Sequence, residues 1–178
     1  MLKITKTRTA SKVAQLAAVA ATVPILVLTN STSAAAWNPP GGVVTWENNE
    51  THVCLNWSDD MYTRSPKAQV GDCHKSNSDV SNWWEVPVDS TWWTFHPTRV
   101  DKYGNTDNLC LTSYNSLVYL ETCQPGNWWQ QWQELKMADG VWRLRHRGAG
   151  AYAGFFLDTN GRDLYTHPEN SGNFQNWH

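Results

Sequence analysis

Leu109-Cys110-Leu111-Thr112, then Leu120-Glu121-Thr122-Cys123, then Gln130-Gln131-Trp132 is the stretch that decides the fold, because its order recurs. Upstream stand Val53-Cys54-Leu55-Asn56, Val70-Gly71-Asp72-Cys73 and Asn82-Trp83-Trp84. Downstream stand Phe155-Phe156-Leu157-Asp158, Leu164-Tyr165-Thr166-His167 and Gln175-Asn176-Trp177. Leu55, Leu111 and Leu157 are 56 and 46 positions apart, and Trp84, Trp132 and Trp177 are 48 and 45 apart. Internal repetition at such a period dictates architecture, because one unit cannot bury its own apolar face while several together can.

Each unit opens on an alternating aromatic segment: Val44-Thr45-Trp46, Trp92-Trp93-Thr94-Phe95 and Val141-Trp142-Arg143-Leu144. Alternation with β-branched and aromatic residues predicts strands. Turn signals separate them at Tyr103-Gly104-Asn105, Pro125-Gly126-Asn127, Asn160-Gly161 and Ser171-Gly172-Asn173. No amphipathic helix of useful length follows residue 36. Three units of about 45 residues fill Gly41 to Trp177, leaving nothing for a second domain.

The thrice-repeated order Cys-Leu, Leu-x-x-Cys, Gln-x-Trp resembles the ricin-type β-trefoil, the Gln-x-Trp lectin family. The second unit matches well. The third has Phe156 and His167 where Cys would stand, and the first has Asn82-x-Trp84 for Gln-x-Trp. The resemblance implies an all-β trefoil over 43–178, with a six-stranded barrel capped by three hairpins about a pseudo-threefold axis. Trp84, Trp132 and Trp177 would point into a shared core, each indole N–H needing a partner.

The first 36 residues are of a different kind. A basic stretch with Lys3, Lys6, Arg8 and Lys12 precedes an apolar run from Val13 to Leu28 and the small residues Ala34-Ala35-Ala36. This reads as a secretory signal peptide, and about 16 apolar residues fall short of the roughly 20 of a membrane span. Cleavage after Ala36 leaves Trp37 first, on an extended arm over 37–42 that contains Asn38-Pro39-Pro40. Export permits disulfides. Cys54, Cys73, Cys110 and Cys123 allow three pairings, of which the sequential one closes two short loops. Their spacing lacks a Cys-x-x-Cys metal signature. The full chain carries a formal charge of −2, and removing the leader's four basic residues takes it to −6. An acidic surface excludes a nucleic-acid binder.

Sugar recognition pairs an aromatic face with polar side chains that take the hydroxyl hydrogen bonds. The resemblance implies an Asp after each Cys-Leu, an aromatic two residues before the second Cys, and the Gln of Gln-x-Trp. Asp158, Tyr165 and Gln175 match this in the third unit, and Asp163 adds an acceptor. The second unit offers Thr112 and Glu121 at those places, and the first Asn56 and Gly71, so one site at most is intact. No His-Glu-x-x-His, Gly-x-Ser-x-Gly or phosphate-cradling loop is present. The expectation is a secreted, non-catalytic carbohydrate-binding module without cofactor or metal, whose partner is a glycan or glycoconjugate. The alternative is a protein-binding subunit of a secreted complex of toxin type. It would use Trp37 and the surface members of the doublets Trp83-Trp84, Trp92-Trp93 and Trp128-Trp129. Of the 12 Trp residues, these are the surplus that the core does not absorb.

Overall fold

The computed structural model describes residues 41–58, 67–73, 78–98, 108–137, 140–148 and 155–178. The leader, Trp37 and the first four residues of the arm lie outside them. Among the described residues eleven strands are present: β1 (Val43–Val44), β2 (Val53–Ser58), β3 (Lys67–Asp72), β4 (Trp83–Pro87), β5 (Trp93–Pro97), β6 (Leu109–Tyr114), β7 (Leu117–Thr122), β8 (Trp132–Lys136), β9 (Trp142–His146), β10 (Phe155–Thr159) and β11 (Leu164–Pro168). Among the described residues no helix is long and apolar enough to cross a membrane.

The strands divide into two sets. Hairpins β2/β3, β6/β7 and β10/β11 carry the repeated Leu and Cys positions. The others form a ring in which β1 pairs β4, β4 pairs β5, β5 pairs β8 and β8 pairs β9. The C-terminal residues close that ring. Trp177 bridges Trp142 of β9 on one side and Asn48 on the other. The backbone bonds are reciprocal: Trp142 N to Trp177 O at 2.7 Å, Trp177 N to Trp142 O at 2.8 Å, Glu47 N to His178 O at 3.0 Å and His178 N to Glu47 O at 2.9 Å. Asn48 reinforces the closure. Its fully buried amide donates to Phe174 O and Asn176 O and accepts from Glu50 N, Thr51 N and Thr51 Oγ1.

One layer of the core shows the threefold repetition directly. Trp83 Nε1 donates to Leu55 O at 2.9 Å, Trp132 Nε1 to Leu111 O at 2.9 Å and Trp177 Nε1 to Leu157 O at 3.2 Å. All six residues are fully buried. The first-repeat tryptophan is therefore Trp83, not Trp84, which is only half-buried. The cause lies in the 3-10 turn Ser78–Ser81. It puts buried Ser81 where Gln130 and Gln175 stand in the other repeats. The motif there is Ser-x-Trp, and choosing Asn82 for its likeness to Gln slips the register by one. In a strand, that exchanges the two faces.

Disulfides join Cys54 to Cys73 and Cys110 to Cys123, each across its hairpin, with Cα atoms 5.0 Å apart. Cys73 and Cys123 each lie two residues beyond the cross-strand partner of the first Cys, Gly71 and Glu121. In the third repeat Phe156 pairs with His167, so the second-Cys position is Glu169 rather than His167.

Glu85 and Glu134 stand two residues after Trp83 and Trp132, hence on the same strand faces. Burial, together with a hydrogen bond that the protonated Glu85 donates to Glu134 and that residue's charge, pushes the Glu85 carboxyl up from 4.5 to about 9. Burial pushes His96 and His146 down from 6.5 to about 4. The raised Glu85 stabilises the fold fully below pH 4.5 and loses that contribution as pH rises towards 9. The depressed histidines stabilise it fully above pH 6.5 and lose that contribution as pH falls towards 4. Each group acts with a slope of up to about 1.4 kcal/mol per pH unit in its window. Two histidines outweigh one glutamate below pH 6.5, so urea midpoints should peak near there and fall on both sides. E85Q should flatten the alkaline limb and steepen the acid limb between pH 4.5 and 6.5; an unchanged alkaline limb would refute the assignment.

Candidate functional site

The third hairpin brings the predicted residues to one place. Asp158 and Tyr165 are direct cross-strand partners. The connecting turn is fixed by its own side chains. Asn160 Oδ1 accepts from Arg162 N at 2.9 Å and Asp163 N at 2.8 Å, while its Nδ2 donates to Asp163 Oδ2 at 3.0 Å. Gly161 has φ of +83°, a left-handed value that its lack of a side chain allows. Asp163 is exposed at this tip, while Tyr165 is half-buried.

Gln175 ends the 3-10 turn Asn173–Gln175 and is fully buried. Its Nε2 donates to Asp158 Oδ2 at 3.0 Å and Pro168 O at 2.9 Å, and its Oε1 accepts from Asn170 N at 3.1 Å. Asn170 Nδ2 also approaches Asp158 Oδ2, at 3.4 Å. The other carboxylate oxygen, Asp158 Oδ1, is buried and has no well-formed hydrogen bond among the described residues, with the Tyr165 hydroxyl as a donor within reach of the carboxylate. A buried acceptor left unpaired costs about 1–3 kcal/mol, which a ligand donor would recover. Burial first, then the Asp158 and Asp163 carboxylates, raise the Tyr165 phenol above its usual 10.0. It therefore stays a neutral O–H at physiological pH.

Strand register locates the equivalents in the other repeats. Asn56 pairs with Gln69, and Thr112 with Tyr119, as Asp158 pairs with Tyr165. The aromatic position is thus Gln69, Tyr119 or Tyr165, not Gly71 or Glu121. The second repeat has an aromatic there, Tyr119, opposite Thr112 in place of the Asp. There Gln130 Nε2 donates to Glu121 Oε1 at 3.0 Å instead, and Thr112 Oγ1 turns onto Cys110 O at 3.0 Å. The hairpin pairing was the signal that finds Tyr119; counting back from cysteines was not.

A second feature was legible only in part, through the doublets Trp92-Trp93 and Trp128-Trp129 and not through their neighbours. Tyr114, Leu117, Trp128 and Trp129 are all exposed. Tyr114 and Trp129 meet edge to face with centroids 4.9 Å apart, and Tyr114 pairs with Leu117 across the hairpin. Arg147 continues the band between Trp128 and Trp92. Arg143, in contrast, is buried, bonded to Asn176 Oδ1 at 2.8 Å and to Glu169 Oε1 at 3.2 Å. Arg143, Arg145 and Arg147 alternate along the chain but do not form one solvated edge, because Trp92 stacks on Arg145 and Arg147 and the C-terminal turn binds Arg143. The groupings His96–Cys110–Cys123 and Glu47–Cys54–Cys73 each rest on a disulfide, whose sulfurs are not the thiolates a metal needs.

No protein-family model and no curated sequence matches the chain. Solved structures do. The designed threefold-symmetric protein ThreeFoil superposes with a TM-score of 0.58 at 15% identity, over 76% of this chain and 95% of that one. The fold is a β-trefoil. The cytolethal distending toxin of Actinobacillus actinomycetemcomitans gives a TM-score of 0.57 at 13% identity, over 76% of this chain and 88% of that one. The Polyporus squamosus lectin gives 0.57 at 16% identity, over 80% of this chain but 49% of that one, so the trefoil spans about half the lectin's length.

Proposed function

We propose that this trefoil is a secreted, non-catalytic carbohydrate-binding module whose site lies in the third repeat. Asp158 takes sugar hydroxyls, the buried Gln175 holds that carboxylate in place, Tyr165 is the platform, and Asp163 lies at the rim. The observation that carries this reading is the Asp158 carboxylate, held by Gln175 through one oxygen, with the other buried and lacking a well-formed hydrogen bond among the described residues. Asp158 is 3% exposed, so sugar binding there requires a neighbouring side chain to move, and its cross-strand partner Tyr165 is the one this reading assigns. The two disulfides and the basic-then-apolar leader support export. Glu85 and Glu134 share a hydrogen bond, closer than the roughly 5–9.5 Å between the carboxylates of a glycosidase pair.

Asp158→Ala should abolish binding on a glycan array. Its melting temperature should stay within about 3 °C, because Gln175 Nε2 keeps the Pro168 carbonyl. Binding by one shallow site should be near 1 mM, roughly 4 kcal/mol. A second reading, a subunit of a secreted complex, is favoured by the exposed apolar half of the band, Tyr114, Leu117 and Trp129. An unchanged array profile for Asp158→Ala, with a stoichiometric protein recovered from the culture medium, would decide for it.

A further inference from the structure

We propose that the stack of Trp92, Arg147 and Trp128 is a second ligand site, which takes a carboxylated sugar of an acidic glycan. The Arg147 guanidinium carbon sits 5.0 Å from the Trp92 ring centroid and 4.8 Å from that of Trp128. Arg145 approaches the same Trp92 ring at 5.6 Å. Trp128 remains 55% exposed although Arg147 lies over its ring. One aromatic surface and two cations are thus presented together at the surface of a chain that is otherwise acidic.

The stack is built rather than accidental. Trp128 opens a 3-10 turn, Trp128–Gln130, whose cap Asn127 accepts from Trp129 N at 3.1 Å. His146 Nε2 bonds to Trp129 O at 2.9 Å, and the Trp129 ring lies against Gly148, where a Cβ would meet it at 2.4 Å. Arg147 is pinned by its backbone N to Gln131 O at 2.9 Å and by its Nη1, which bonds to Gln131 Oε1. A guanidinium has five donors over three nitrogens, and among the described residues both of Arg147's polar side-chain contacts approach Nη1 alone. Its planar fork suits a carboxylate.

Charge selects the ligand. Asp89 Oδ2 lies 3.8 Å from Arg147 Nη1, so Arg145, Arg147 and Asp89 together carry one net positive charge. That matches a single carboxylate, whereas a phosphate dianion would leave an excess negative charge and meet about twice the repulsion from Asp89. The sugar's C–H face stacks on Trp128 while its carboxylate reaches the arginines. A uronic acid and a sialic acid share this chemistry. Neither Asp158 nor Gln175 takes part, so this site and the third-repeat site can fail separately.

The test is ligand-observed NMR on the full secreted chain with sialyllactose and with a glucuronate disaccharide. Lactose and glucose 6-phosphate serve as neutral and dianionic controls. At least one acidic probe should bind, more weakly at higher salt. Trp128→Ala and Arg147→Gln should each lose roughly tenfold or more in affinity, with Asp158→Ala unaffected. Which probe binds identifies the sugar class. Trp128 is exposed, so its variant should melt normally and keep the result interpretable if Arg147→Gln disturbs packing. Equal binding of lactose, tighter binding of the phosphate, no effect of Trp128→Ala, or loss of the acidic probe in Asp158→Ala would each overturn the proposal. A protein partner that shields Trp128 while neither acidic probe binds would do the same.

Discussion

A chain ending at Asn176 should not reach the folded state. Trp177 is fully buried and bonds through its indole to Leu157 O. Truncating a core Trp to Ala costs about 3–5 kcal/mol on its own. The deletion also removes the reciprocal backbone bonds that join Trp177 to Trp142 and His178 to Glu47, and so opens the ring. Buried Asn48 keeps a bond to Phe174 O, but the main-chain bridge beside it is gone. With a total stability of about 5–15 kcal/mol for a domain of this size, the sum leaves little or nothing. The expected result is loss of soluble secreted protein and of the urea transition. Trp177→Phe grades the effect. It keeps most of the ring and loses the Leu157 bond, which should cost about 1–3 kcal/mol and leave a cooperative transition at lower urea. A truncated chain that melts like the parent would show that the C-terminal closure is dispensable.

This closure was legible in part. Gln175-Asn176-Trp177 repeats a local pattern, and patterns of period two with bulky residues report burial without any knowledge of partners. The same holds for Leu55, Leu111, Leu157 and Trp132. What local pattern could not show is who faces whom. Asn48 is an unremarkable polar residue in the sequence, yet it bonds across separations of 126 and 128 residues. Tyr119 takes its meaning from standing opposite Thr112. The stack on Arg147 joins residues from three stretches of the chain, none of which announces the others. Asp158, Tyr165 and Gln175 could be gathered beforehand because a single hairpin and its following turn carry all three.

The one-residue slip in the first repeat yields the second large effect. Trp83→Ala should destabilise the trefoil by about 3–5 kcal/mol, whereas Trp84→Ala should cost roughly 1 kcal/mol. The two are neighbours of identical chemistry, so composition and propensity cancel and only strand face remains. Trp83 fills the core layer shared with Trp132 and Trp177 and gives its indole N–H to Leu55 O at 2.9 Å. Its loss leaves a cavity bounded by the other two repeats, together with an unpaired buried carbonyl. Trp84 lies on the opposite face of β4, between its strand partners Val43 and His96, where solvent can fill the space a smaller side chain leaves. Urea midpoints of the two variants measure the difference. Inward Trp84 would reverse the order of the midpoints and would require β4 to pair with β5 one residue out of its present register. That shift would also carry Glu85 out to solvent and remove the alkaline limb of the pH profile, so the two measurements check one another.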